Sequence, residues 1–185
     1  FSTDVTELDA LRAELERLAT VDSLTELANA RSLHGEAEVV IARAERSGEP
    51  VGVALLDLDR FKAVNDRFGH AAGDAVLAHV AGVLRSEART GDVAARLGGE
   101  EFVLLLPDTD PGGARQVAER LVGALRCAVV PVEGGEVTVT ASIGVAAWAP
   151  GEGDLAPALR RADRAMYRAK GAGRDCVVAD GDPDR

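Results

Sequence analysis

The sequence predicts an α/β fold, and three observations predict it. Val51 to Leu56 is a continuous apolar run behind a Gly/Pro break and reads as a central strand. Val93 to Leu97 and Phe102 to Leu106 read as two strands of a hairpin, with Gly98-Gly99 supplying a side-chain-free turn. Segments with a helical period alternate with these runs, so that from Val51 the order is strand, helix, helix, hairpin, helix, strand, helix, strand. This contains βαββαβ, the ferredoxin-like arrangement, in which the first strand end and the hairpin turn face one another.

The elements follow in chain order. Leu8, Leu11, Leu15 and Leu18 make an a/d stripe over residues 1 to 20, read either as a helix on its own domain or as a parallel stalk joining two protomers. Ser32 to Arg46 is an alanine-rich helix stopped by Ser47-Gly48-Glu49-Pro50. The strand from Val51 delivers Asp57 and Asp59 at its C-terminal end, two residues apart and hence on one face. Phe61 to Phe68 reads as a short helix broken at Gly69 to Gly73, and Asp74, a good N-cap, opens a helix reaching about Arg89. After the hairpin come a helix from Gly113 to Cys127, one strand from Val137 to Val145, a helix from Leu155 to Lys170 and a strand from Cys176 to Ala179. Residues 180 to 185 read as a polar tail.

Composition bounds the function. With 185 residues, 46% hydrophobic and 28% charged, the chain is large enough for one core. A net charge of -10 argues against nucleic-acid and anionic-membrane surfaces, although glycine amides, a metal and a few cations still suit a single nucleotide. No apolar run approaches the roughly 20 residues of a membrane helix, and no signal peptide is visible. A chain starting at Phe1 is expected to be part of a longer one. Cys127 and Cys176 lack metal-ligand spacing and read as small buried hydrophobes in a reducing compartment, so a cytoplasmic location is expected. The only lysines are Lys62 and Lys170.

Glu100 and Glu101 follow the glycine turn directly. Adjacent carboxylates raise each other's pKa, so a cation or proton is implied nearby, and a hard metal with phosphate suits a glycine surface. In the predicted fold Asp57 and Glu101 meet and can share one metal.

Gly98-Gly99-Glu100-Glu101-Phe102 resembles the signature of the GGDEF family, the diguanylate cyclases, whose palm-type domain it implies here. Asp22-Ser23-Leu24-Thr25-Glu26-Leu27-Ala28-Asn29-Ala30-Arg31 resembles the family's entry segment, with Glu26 where Gly is usual and Ala30 where Arg is usual. Phe61-Lys62-Ala63-Val64-Asn65-Asp66-Arg67-Phe68-Gly69-His70-Ala71-Ala72-Gly73-Asp74 and Ala169-Lys170-Gly171-Ala172-Gly173-Arg174-Asp175 match two further family strings, the last with Asp175 for the usual Asn. Asp4-Val5-Thr6-Glu7 is similar to the end of a PAS sensor domain. The organisation implied is a helical linker over residues 1–21, a cyclase domain over 22–179 and a tail over 180–185.

The resemblance implies condensation of two GTP into cyclic di-GMP and two pyrophosphates, with one GTP on each protomer of a homodimer. Asp57, the Leu58 carbonyl and Glu101 would hold two Mg²⁺, or Mn²⁺, and Glu100 would sit near the attacking hydroxyl. Phe61, Lys62, Asn65, Asp74, Gly98, Gly99, Lys170 and Arg174 would bind substrate. Within that set Asn65 and Asp74 recognise guanine, and Lys170 and Arg174 hold the terminal phosphates. Arg89 and Asp92, with Arg120 beside them, would form an inhibitory site for the product. An upstream sensor would regulate pairing through the helical linker. A binding module without turnover is the rival; degenerate relatives usually lose an acid of the signature, and here Asp57, Glu100 and Glu101 all remain.

Overall fold

The structure, a computed structural model, describes residues 20–183. The leucine stripe from Leu8 to Leu18, and with it the stalk, lies outside the described residues. The elements in order are β1 (Ala28–Asn29), α1 (Ala30–Ser47), β2 (Val51–Leu58), α2 (Phe61–Phe68), α3 (His70–Glu87), β3 (Val93–Gly98), β4 (Glu101–Pro107), α4 (Pro111–Cys127), β5 (Val130–Val132), β6 (Gly135–Val137), β7 (Ala141–Trp148), α5 (Ala156–Gly171) and β8 (Cys176–Ala179). Six strands form one sheet in the order β1-β3-β4-β2-β7-β8, and β5 pairs with β6 alone. The central four are antiparallel and have the predicted βαββαβ connectivity.

Period-two alternation divides the core into two layers. Ala54, Leu56, Leu58, Phe102, Leu104 and Ile143 pack with Val76, Leu77 and Val80 of α3 and Leu121 and Leu125 of α4. The intervening residues Val53, Leu55, Val103, Leu105 and Ala146 pack with α1 and with Ala158, Ala162 and Met166 of α5. Continuing that alternation past Leu55 and back from Val103 puts Asp57 and Glu101 on the α5 side. The core therefore carries both acids to one face.

Several expectations are corrected. The strand expected over Val137 to Val145 is two pieces, because the chain leaves the β5–β6 hairpin at Val137 and enters the main sheet only at Ala141. Helix α3 starts at His70, with Gly69 at φ 85 preceding it, so Asp74 lies inside the helix and is no N-cap. Cys127 is exposed at the end of α4, and Cys176 is half-buried. The beginning of the tail is docked: the Asp182 carboxylate accepts from Arg115 at 2.9 Å and from the Ala179 amide at 2.9 Å. No helix among the described residues is long and apolar enough to cross a membrane.

The entry turn holds a non-glycine residue in a conformation that favours glycine. Glu26 has φ 57, a left-handed conformation that costs a non-glycine residue about 1 kcal/mol. Glu26→Gly is expected to raise stability by up to about 1 kcal/mol, read as a Tm increase of about 2–4 °C. An unchanged or lower Tm would show that the Glu26 side chain stabilises the turn enough to offset its backbone cost.

Candidate active site

The site begins at the end of β2, where Asp57 stands opposite Glu101 in the β2–β4 register and opposite Ser142 in β7. Directly paired residues of an antiparallel ladder project to the same face, so the two carboxylates are neighbours although 44 positions separate them (101 minus 57). The β3–β4 hairpin is tighter than expected: Gly98 pairs with Glu101, leaving Gly99 and Glu100 as the turn. Gly98 and Gly99 have φ 150 and 53, and a Cβ on either would meet nothing within 4 Å, so their role is conformation and an open surface. Glu100 thus occupies the turn and Glu101 the strand. The Glu100 carbonyl accepts from the Leu58 amide at 3.2 Å, which ties the turn to the end of β2.

The electrostatics call for a cation. Partial burial raises the Glu100 pKa and the Asp57 carboxylate raises it further; Lys170 lowers it, and Glu101 adds a smaller rise. Lys170 Nζ lies 3.0 Å from Asp57 Oδ2. Asp57 is 8% exposed, so this pair is the main visible compensation for its charge. Among the described residues no three His, Cys, Asp or Glu side chains close into a metal cluster. Two carboxylates beside the open glycine turn fit a hard oxygen-seeking ion that takes its remaining ligands from phosphate and water.

Asp59 behaves differently from Asp57 despite sharing its face in the sequence pattern. It lies just beyond β2, 8% exposed, with both oxygens occupied by hydrogen bonds from Thr140, Ser142 and the Asp175 amide. The shared face predicted for the two acids therefore does not give them one environment: Asp59 is held by protein donors, and Asp57 faces Lys170.

Phe61 is buried at the start of α2, and Lys62 beside it is exposed. Asn65 lies against α3, where a Cβ on Gly73 would fall 1.9 Å from its Oδ1. Gly73 is thus the residue that lets the carboxamide lie across the helix pair, and Asp74 follows it, exposed. Lys170 lines a cavity with Glu101, whereas exposed Arg174 lines another with Asp59 and Arg60; the structure does not gather these two cations into one cavity. Arg89, Asp92 and Arg120 line a separate groove of about 610 Å³ with Glu87 and Thr109. There Arg89 Nε donates to Asp92 Oδ1 at 3.3 Å, an Arg89 guanidinium N–H donates to the Thr109 hydroxyl, and Arg120 pairs with Glu87 at 2.9 Å.

Arg96 was missed as a site residue. Its guanidinium donates to the Gly99 carbonyl at 2.8 and 3.0 Å and to both oxygens of Asp22 at 3.2 Å, clamping the glycine turn to the entry segment. Its signal was only its position three residues before the turn's second glycine. Burial opposes ionisation of Asp22, but hydrogen bonds from the Thr25 side chain and amide and from Arg96 outweigh it and hold the carboxyl below its ordinary pKa. A folded-state pKa below the unfolded value gives stability that is present above about pH 4 and lost as pH falls through the folded value. Asp22→Asn is expected to cost about 1 kcal/mol at pH 7 and progressively less on acidification below pH 4. Equal Tm losses at pH 7 and in acid would contradict this.

A ferredoxin-like sheet with paired carboxylates at a strand end and a glycine turn beside them is the layout of palm-type nucleotidyl-transfer domains. Residues 19–176 match the family model described as "Diguanylate cyclase, GGDEF domain", and the chain belongs to that family. It is 45% identical over 157 residues to the diguanylate cyclase DgcP of Pseudomonas aeruginosa, covering 85% of this chain and 23% of that protein. Similarity to the response regulator PleD of Caulobacter vibrioides is 44% over 176 residues, covering 92% of this chain and 38% of that protein. The chain thus spans about a quarter to two-fifths of these relatives. A crystal structure of the coiled coil and GGDEF domain of DgcB from Caulobacter crescentus, in complex with c-di-GMP, is similar at a TM-score of 0.86 and 34% identity, covering 95% of each chain.

Proposed function

We propose that the chain is a diguanylate cyclase domain that condenses two GTP into cyclic di-GMP. The observation that carries the reading is the register of Asp57 opposite Glu101, with Glu100 at the adjoining turn and Lys170 3.0 Å from Asp57. The family membership and the cyclases among its relatives support it.

Asp74 accepts from N1–H and the 2-amino group of guanine, a donor pair adenine lacks, while Asn65 holds the same base from α2. Gly98 and Gly99 leave room for the nucleotide at the turn, and Phe61 shapes the floor beneath α2. Lys62, Lys170 and Arg174 neutralise the triphosphate, with Lys170 exchanging its contact with Asp57 for one with phosphate as the site fills. Asp57, the Leu58 carbonyl and Glu101 would hold two Mg²⁺, which when bound activate the 3′-hydroxyl and stabilise departing pyrophosphate. Glu100 stands beside that hydroxyl. Each 3′-hydroxyl gives up its proton to water as its oxygen forms a bond to the α-phosphorus of the other GTP and the bond from that phosphorus to the leaving pyrophosphate breaks. The reaction needs two nucleotides in opposite senses, so two protomers must face each other. Mn²⁺ can replace Mg²⁺ in an oxygen site of this kind.

GTP with Mg²⁺ is expected to yield cyclic di-GMP and ATP no cyclic dinucleotide; equal turnover of ATP would overturn the role of Asp74. Arg89, Asp92 and Arg120 form the product's inhibitory site in this reading. Arg89→Ala is expected to weaken inhibition by added cyclic di-GMP about tenfold or more while the initial rate stays within about twofold. Unchanged inhibition would remove that site from the account.

A further inference from the structure

We propose that Asp59 is a positioning residue that ties the loop carrying Arg174 to the strand end carrying Asp57, acting through hydrogen bonds and not as a metal ligand. The inference rests on reading this region as the GTP site. Oδ1 of Asp59 accepts from Ser142 Oγ at 2.7 Å, and Oδ2 accepts from Thr140 Oγ1 at 2.7 Å and from the Asp175 amide at 2.9 Å. Its own amide donates to the Thr140 carbonyl at 2.8 Å. A carboxylate offers about four acceptor directions, and three are taken by neutral donors that replace the water lost on burial. Asp57, two residues earlier, instead faces a lysine and a second carboxylate across the ladder. Neighbouring acids on one strand end thus have different work.

The loop that Asp59 holds does not adopt its shape for free. Arg174 and Asp175 have φ 69 and 49, left-handed conformations disfavoured for both residues. Three restraints keep them there. The Arg174 amide donates to the Ala169 carbonyl at 3.0 Å, and Arg126 donates to the Asp175 carboxylate at 2.8 Å and to its carbonyl at 3.1 Å. These two fasten the loop to helices. The third, from the Asp175 amide to Asp59, fastens it to the end of β2, and so sets how far Arg174 stands from Asp57. Exposed Arg174 is the one phosphate-binding candidate on this loop, and its reach is fixed by the backbone that Asp59 grips.

Alanine and asparagine at position 59 separate this role from metal binding. Asparagine can turn its oxygen toward Thr140 and the Asp175 amide and donate its NH₂ to the Ser142 hydroxyl, so it keeps the brace while losing the charge. Asp59→Ala is expected to raise the KM for GTP about tenfold with a smaller change in kcat, whereas Asp59→Asn stays within about threefold of the native chain. The Mg²⁺ concentration giving half-maximal rate at saturating GTP should be unchanged in both. Amide exchange at Asp175, followed without nucleotide, should accelerate at least about tenfold in the alanine variant and remain slow in the asparagine variant. Should the alanine variant not fold, Thr140→Val replaces it and is expected to raise KM and speed that exchange about threefold each. An asparagine variant as impaired as alanine, with a raised Mg²⁺ requirement, would overturn the proposal in favour of a metal ligand. Native exchange at Asp175 in the folded alanine or valine variant would overturn it outright. The exchange measurement needs no nucleotide, so it still decides the brace if the native chain neither binds nor turns over GTP, a result that would sink the cyclase reading alone.

Discussion

Replacing Glu101 by alanine is expected to lower cyclic di-GMP formation by about 10³-fold or more without unfolding the chain. The side chain is half-buried at the first residue of β4, outside both core layers, so its loss leaves no cavity among apolar neighbours. It also stands opposite Asp57 in the register, and its charge is one of the influences that raise the Glu100 pKa. Removing it relieves like-charge crowding, so the Tm of Glu101→Ala should equal or exceed that of the native chain. Glu101→Gln keeps the shape and loses the charge, and it should be as inactive as alanine. Loss of activity with an unchanged or higher Tm separates a functional acid from a structural one. Substantial product from either variant would remove Glu101 from the metal site.

The largest effect on stability is expected at Gly144, in the middle of β7. A Cβ there would lie 1.9 Å from the Ala162 carbonyl oxygen and 2.2 Å from the Met166 amide nitrogen, both backbone atoms of α5 that cannot swing aside. Helix and strand approach this closely because Ala158, Ala162 and Ala165 present no bulk and Gly144 presents none at all. Gly144→Ala must lift α5 from the sheet at a cost of about 3 kcal/mol, a Tm fall of about 6–12 °C. The same helix carries Lys170 to 3.0 Å from Asp57, so the KM for GTP should rise in whatever fraction remains folded. Gly123→Ala, in α4 with nothing within 4 Å of the added carbon, is the control and should be neutral or slightly stabilising. A Gly144→Ala chain as stable as the native one would show that α5 yields easily, and that its closeness does not position Lys170.

The sheet was legible wherever a run was long enough to show its period. Val51 to Leu56, the glycine hairpin and the helix from Phe61 all declared themselves, and with them the meeting of Asp57 and Glu101. The two-residue β1 and three-residue β5 and β6 are too short to carry a pattern, and they exist because neighbours pair with them. Val137 to Val145 looked continuous because β-branched residues persist through the bend at Thr138 to Thr140. Asp74 looked like a cap because it follows a glycine. The structure gives that glycine another use, the space for Asn65, and starts the helix at His70, with Gly69 as the residue before it.

The role of Asp59 could not be read locally. A carboxylate at a strand end looks the same whether a metal or neighbouring donors will satisfy it, and its donors lie 81, 83 and 116 residues further along the chain. Arg96 was hidden for the same reason, since Asp22 lies 74 residues before it. The residues that touch the substrate in this account were marked by a motif. Those that hold them in place became visible only once the fold had brought distant positions together.

The central claim is that two half-sites, each with one GTP, must meet for chemistry to occur. Its most direct test is nucleotide analysis of the products formed from GTP and Mg²⁺ over a wide range of protein concentration. The account predicts cyclic di-GMP, with specific activity rising as protein concentration rises and levelling once pairing is complete. Cyclic di-GMP formed at the same specific activity down to concentrations at which the chain is monomeric would contradict it.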